Sequence, residues 1–156
     1  MDTLKKTLGF LLHDVARLLR TRFEQNAREL GLTRSQWQVL AHLLHNEGIQ
    51  QGALAELLEI EPITLTRGLD RLQASGLIER RPHPRDRRVW QLYLTPKAAP
   101  LMERMKEIGL ATREEALQGL AKSERDELIR ILTEMKTNLL HVLDRAGRTR
   151  SEVSHG

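Results

Sequence analysis

One change of period constrains this chain more than any other feature, and it falls at Gly76. On its N-terminal side, Ala53, Leu54, Ala55, Leu57 and Leu58 crowd one side of a short helix within residues 52–58. Ile63, Leu65, Leu69 and Leu72 supply the buried stripe of a second helix. Ile60, set between Glu59 and Glu61, plugs the angle of the tight link between them. Pro62 suits the first turn of the second helix, where its missing N–H costs nothing, although Glu61 is a mediocre N-cap. Gly76 fits the left-handed position that ends such a helix. Beyond it the apolar spacing alternates. Leu77-Ile78 begins one strand. In a second, Val89, Gln91, Tyr93 and Thr95 alternate with Trp90, Leu92 and Leu94, the period of a half-buried strand.

Between the strands sits RRPHPRDRR, residues 80–88. Pro82 and Pro84 forbid a helix there. The stretch holds five arginines and one aspartate, a formal +4 (5 − 1), which equals the formal +4 of the whole chain. Alone, such a loop reads as a solvated hairpin tip. Following two helices joined by a short turn, it reads as the wing of a winged helix-turn-helix, a unit that holds double-stranded DNA with its second helix in the major groove. The expected fold is mainly α with a small β-wing.

Composition sets the bounds. A chain of 156 residues, 40% hydrophobic and 29% charged, can form one compact, soluble unit with a real core. Aromatics at 3% argue against single-strand binding by base stacking. A sequence pI near 9.8 suits a polyanionic partner. With no cysteine, disulfides, thiolate metal sites and thiol redox sensing are excluded. The apolar run after Lys5-Lys6 stops at Leu12, too short for a signal peptide or a membrane span, so a cytoplasmic location is expected. No glycine-rich phosphate loop, no nucleophile–base set and no ligand cluster is in view, so neither an enzyme nor a cofactor is expected.

The flanking segments read as long helices. Leu4, Leu8, Leu11, Val15, Leu18 and Arg22, widened by Leu12, Leu19 and Phe23, mark one face of a first helix reaching Leu30, with Gly31 ending it. That face is wider than one small domain needs. Asp14 and Glu24 weigh against a helix lying on a membrane. Thr33-Arg34-Ser35-Gln36 is a capping box for a helix carrying Trp37, Val39, Leu40, Leu43 and Leu44. His42 and His45 have metal-like spacing but lack a third ligand, so no metal is expected. Ile49 either adds a short strand or anchors the loop before the next helix. Thr95 should cap a helix running to Leu120, with Pro96 in its first turn, Leu101, Met105, Ile108, Thr112 and Ala116 along its face, and a bend at Gly109. A last helix starts at Ser123. Its Leu128, Leu132, Met135, Leu139, Val142 and Ala146 form a coiled-coil-like seam that needs a partner. The expected organisation is therefore residues 1–31 and 96–147 as a helical dimerisation region, 32–95 as the DNA-binding domain and 148–156 as a flexible tail. Leu4, Leu8, Leu11, Leu132, Met135, Leu139 and Val142 are the expected contacts of a two-fold homodimer.

The run from Asp86 to Thr95, DRRVWQLYLT, resembles the D-x-R-x-x-x-L-x-L-T wing signature of MarR-type transcriptional regulators without a gap. Residues 60–77 look like that family's recognition helix and its exit. Residues 94–101, LTPKAAPL, resemble its SlyA-like branch. The likeness runs in register over residues 8–145. His83 stands where many members carry aspartate, which makes the tip slightly more basic. The resemblance implies a transcriptional regulator, with a repressor expected, that binds an inverted-repeat operator as a homodimer. It places Pro62, Ile63, Thr64, Thr66 and Arg67 toward the major groove, with Arg71 as a further contact to bases or backbone. On the wing, Arg87 is the choice for minor-groove insertion and Arg85 the second candidate, while Asp86 and Arg88 brace the loop. It also implies a small aromatic or phenolic acid bound between DNA-binding and dimer layers. His13, Arg17, Trp37, His42 and Met105 are candidates to line that pocket; the plain alternative makes Trp37 and Met105 core residues. An architectural protein that coats DNA with little sequence preference is the rival reading.

Overall fold

The structure, a computed structural model, describes residues 7–153, with side chains described as far as Arg148. Leu4 lies outside the described residues. The chain forms two compact units that divide after Ala116.

The first unit contains α1 (Leu8–Asn26), α2 (Arg34–His45), α3 (Gln51–Leu58), α4 (Pro62–Ala74), β1 (Ile78–Pro82), β2 (Trp90–Leu94) and α5 (Ala99–Ala116). α1 stops at Asn26, short of the expected Leu30. One 3-10 turn, Arg28–Leu30, then closes on Gly31 in the left-handed region at φ 65°. α2 opens on the expected capping box. The Gln36 N–H donates to the Thr33 hydroxyl at 3.3 Å, and the Thr33 N–H donates back to Gln36 Oε1 at 2.9 Å.

Glu59, at φ 54°, turns the chain between α3 and α4. The Ile60 N–H donates to the Ala55 carbonyl at 3.1 Å, and its side chain packs on the core. On α4, Leu65, Leu69 and Leu72 are essentially fully buried. Ile63, expected in the same stripe, is 61% exposed. At about 100° per residue it sits roughly 160° around the helix from Leu65, so it belongs to the opposite face.

β1 and β2 pair antiparallel from Ile78 opposite Leu94 to Pro82 opposite Trp90. Arg80 and Arg81 are therefore strand residues, and the loop is shorter than the expected 80–88. Pro82 is tolerated at the far end of the hairpin, where few ladder bonds remain to be made. β2 is also held from its other side. The Gly48 N–H donates to the Leu92 carbonyl at 2.8 Å, the Leu92 N–H donates to the Ile49 carbonyl at 3.0 Å, and Gln50 bridges Gln91. Gly48 sits at φ 84°, and a Cβ there would lie 3.1 Å from the Tyr93 hydroxyl. The backbone angle favours glycine, and a side chain there would also have to push the Tyr93 hydroxyl aside.

Thr95 does not cap the helix that follows. Its hydroxyl donates to the Gly76 carbonyl, tying the end of β2 to the exit of α4. Pro96–Ala98 form a 3-10 turn before α5, which ends at Ala116 rather than Leu120. Met102 and Met105 of α5 share one buried cluster with Trp37, Leu40, Leu43, Leu54, Leu69, Ile78 and Leu92. Residues 96–116, expected among the dimerisation helices, thus pack on the winged-helix body. α5 also meets α1, through Arg22 on Glu115 at 2.6 Å and the Asn26 amide on the Thr112 hydroxyl at 3.0 Å.

The second unit is dominated by α6 (Lys122–Val153), entered through a bond from the Ala121 N–H to Glu124 Oε2 at 2.7 Å. Its seam residues Leu128, Leu132, Leu139 and Val142 are exposed and Met135 is half-buried. α6 continues past Arg148 to Val153, into the segment expected as a tail. No helix among the described residues is long and apolar enough to cross a membrane.

Because Leu69 seats α4 on the core, Leu69→Ala should cost about 2–5 kcal/mol. The urea midpoint should fall with little change in slope, and a shift of only a few tenths of a kcal/mol would mean that α4 is not anchored there.

Candidate nucleic-acid interface

The buried stripe of α4 decides what its other side presents. Pro62, Ile63, Thr64, Arg67 and Arg71 are exposed. Neither Arg67 nor Arg71 has a side-chain partner among the described residues. Thr66 departs from the expected set. It is half-buried, donates to the Pro62 carbonyl at 2.9 Å and accepts from Gln51 Nε2 at 2.9 Å. Its hydroxyl is spent joining α3 to α4 rather than facing outward. The N-terminus of α4 has proline in its first turn and no side-chain cap. The helix dipole there favours an anion.

The five arginines between Arg80 and Arg88 are not equivalent. Arg80 turns inward against α4, with a 2.8 Å ion pair to Asp70 and a 2.7 Å bond to Gln73 Oε1. Arg81 pairs with Glu79 and lies over the Tyr93 ring, 3.9 Å from its centroid. Arg88 closes on Asp86, its Nε at 3.1 Å and its backbone N–H also at 3.1 Å. Arg85 and Arg87 remain exposed, with no side-chain partner among the described residues. The formal +4 of this stretch thus reduces to two unpaired cations on a braced turn. His83 helps to brace it, since its N–H donates to the Val89 carbonyl at 2.8 Å and its Nδ1 accepts from the Arg85 N–H at 3.1 Å.

The side-chain hydrogen bond from Arg88, and then the Arg88 backbone N–H, hold the Asp86 carboxyl below the ordinary aspartate range. A depressed carboxylate contributes stability that is present above the unfolded value and lost as pH falls through the folded one. The brace is therefore intact at neutral pH.

A groove of about 680 Å³ lies between α1, α2 and α5. Of the candidate pocket residues, Trp37 and Met105 line this groove, and His13, Arg17 and His42 do not. α5 packs on the C-terminal half of α1, so Leu19, Arg20 and Phe23 reach the groove, while His13 lies nearly two turns before Leu19 and Arg17 pairs with Asp14 on its own helix at 3.5 Å. His42 directs Nδ1 to the Gln38 carbonyl of its own helix at 2.8 Å. Among the described residues, no three side chains gather that could hold a metal ion. The cationic side chains in the groove are Arg20, Lys106 and Arg113; Glu103 and His45 also line it. These positions were legible in part. Lys106, Gly109 and Arg113 sit one place along from Met105, Ile108 and Thr112, so the groove edge continues the same stripe. Trp37 packs on Phe23 with ring centroids 4.6 Å apart, and its buried Nε1 has no hydrogen-bond partner.

An exposed helix face beside a basic hairpin on one core defines a winged-helix chain of the DNA-binding kind. The model of the MarR family matches residues 30–89, which span α2 through the wing loop. The transcriptional regulator PA3341 has a solved structure 34% identical to this chain. The match covers 85% of this chain and 98% of that one, with a TM-score of 0.74. The transcriptional regulator SlyA is 28% identical over 89% of this chain and 94% of that one, at TM-score 0.68. A MarR-family protein from Listeria monocytogenes, solved with a 26mer DNA, is 25% identical over 86% and 89%, at TM-score 0.73. The chain belongs to the MarR family of winged-helix, DNA-binding transcription regulators.

The Asp86 brace makes a direct prediction. Followed through the Arg88 amide shift in an acid titration, Asp86 should titrate below the ordinary aspartate value of about 3.9. A midpoint at or above that value would mean the turn is not held by this pair.

Proposed function

We propose that this chain is a sequence-specific regulator that binds an inverted-repeat operator as a two-fold dimer, with α4 in the major groove and the wing in the adjacent minor groove. The observation that carries the reading is the placement of the unpaired cations. Arg67 and Arg71 stand on the outward face of α4, and Arg85 and Arg87 on the wing, with both elements seated on one core. Ile63 offers a methyl surface for thymine, and Arg67 a fork for guanine or phosphate. Arg87, with Arg85 beside it, supplies the cation that a narrow A·T-rich minor groove attracts.

The two-fold arrangement is supported by the apolar faces of α1 and of α6, each taken by itself. Leu8, Leu11, Leu12, Val15 and Leu18 are exposed along α1, and Leu132, Leu139 and Val142 along α6. A second copy of the chain would bury them and set the two recognition helices about one DNA turn apart, roughly 34–36 Å. The output is control of transcription by occupancy, with repression as the expected sign.

The groove of α1, α2 and α5 supports a ligand response. It is largely apolar, is lined by Phe23 and Trp37, and carries the cations Arg20, Lys106 and Arg113, which suit a carboxylate or phenolate oxygen. A small aromatic or phenolic acid fits that chemistry. Its effect on operator affinity would be the usual allosteric coupling of about 1–3 kcal/mol.

Binding to a pool of random duplexes at moderate salt, followed by sequencing of the retained DNA, should enrich an inverted repeat. Retention without enrichment would instead favour a DNA-coating protein. On the enriched site, Arg87→Ala should weaken binding roughly ten- to hundredfold while the melting curve and the dimer stay unchanged. Undiminished binding would remove the wing from the mechanism. Salicylate-like acids titrated into the operator complex should release DNA and perturb Trp37 emission, and no shift in either would end the ligand reading.

A further inference from the structure

Arg80 belongs by sequence with the tip arginines, yet its side chain is only 15% exposed and is directed at α4. Its Nη2 meets Asp70 Oδ1 at 2.8 Å and the Thr66 carbonyl at 3.2 Å, and its Nη1 meets Gln73 Oε1 at 2.7 Å. Those three acceptors, at positions 66, 70 and 73, recur at helical spacing along one flank of α4. A single guanidinium therefore clips the first strand of the wing to two successive turns of the recognition helix.

Another tie at that level, the Gln50–Gln91 bridge, holds β2 to the segment before α3 and not to α4. Ile78 and Leu92 fix the base of the hairpin in the core, but its far end pairs exposed Pro82 with Trp90, which is 44% exposed. A two-stranded hairpin is marginal without packing. The Arg80 fork is the polar tie from β1 to α4 itself, and it adds to the bridge that holds β2. The arrangement also carries a cost, because the buried Nε of Arg80 has no partner. The same ion pair neutralises Asp70, an exposed carboxylate on the helix that would otherwise repel phosphate.

We propose that Arg80 is a positioning residue that couples the wing to the recognition helix, so that minor-groove and major-groove contacts form together. The proposal rests on the DNA-binding reading given above. Arg80 itself touches no DNA. It acts by fixing where Arg87 points. Lysine in its place would keep the charge and lose the planar fork that serves three acceptors at once.

The test is a double-mutant cycle on the selected operator, using Arg80→Gln, Arg87→Ala and the pair, with dimethyl sulfate protection reporting the major groove and hydroxyl-radical protection the minor groove. Arg80→Gln should keep guanine protection, lose wing protection and shrink the effect of Arg87→Ala to under about threefold, the non-additivity expected of coupled sites. Arg80→Lys should behave like Arg80→Gln. Should Arg80→Gln melt near the working temperature, Asp70→Asn breaks the same clip from an exposed side chain, and the same reduction in the Arg87→Ala effect is expected. Equal Arg87→Ala effects in both backgrounds, or full rescue by lysine, would overturn the coupling and leave the DNA-binding reading standing. No Arg87→Ala effect in the wild-type background would overturn the wing reading itself, and the coupling with it.

Discussion

The seating of α4 through Leu65, Leu69 and Leu72 is the constraint on which the interface depends. A helix of this length can bury one stripe, and burying that stripe turns the remaining residues outward without any further interaction. Ile63, Arg67 and Arg71 are exposed because three leucines are not. The same seating fixes the exit at Gly76, where the Thr95 hydroxyl and the Lys97 ammonium (2.9 Å from the Ser75 carbonyl) close the end of the helix against the start of α5. The hairpin leaves from that closed end, so the hydrophobic seating of one helix also sets the root of the wing.

Electrostatics refine what burial lays out. Counting charges makes the wing a formal +4, but Arg80, Arg81 and Arg88 are each committed within the protein. The exposed pairings of Arg81 and Arg88 contribute little to stability. Their larger effect is geometric, since each removes a cation from the surface available to a partner and holds a backbone segment in place. What stays free is a pair of arginines on a turn braced from both ends, by His83 on one side and by Asp86 with Arg88 on the other. A cation on a braced turn loses less conformational freedom on binding than one on a loose loop, which favours both affinity and a defined direction of approach.

The groove between α1, α2 and α5 shows how one helix can serve two layers. Met102 and Met105 complete the core beneath the DNA-binding elements, while Lys106, Gly109 and Arg113 of the same helix edge the groove. A molecule seated there would press on α2 and α5 together. The shared core extends from those helices to α4, through contacts between close-packed side chains that tolerate little volume change.

The fold was legible in the sequence because its signals are local and periodic. The switch of period at Gly76, the Thr33–Gln36 capping box, Pro62 at a helix start and the strand β2 are each written within a few residues, and each is present in the structure, although Trp90 at the start of β2 is exposed and breaks the expected alternation. Ile63 departs from the stripe for a local reason too, since two residues' spacing puts it on the far side of the helix from Leu65. The sites were less legible, for a different reason. Which arginine is free, whether Thr66 faces outward, which side of α1 meets α5 and where Thr95 spends its hydroxyl are properties of the space between elements distant in sequence. Arg80 reads like its neighbours until Asp70 and Gln73 are placed beside it. The amino-acid order determined the helices, the hairpin and the face of α4 that could be exposed. Only tertiary packing decided which charges were left over, because pairing between side chains follows distances that no spacing along the chain encodes.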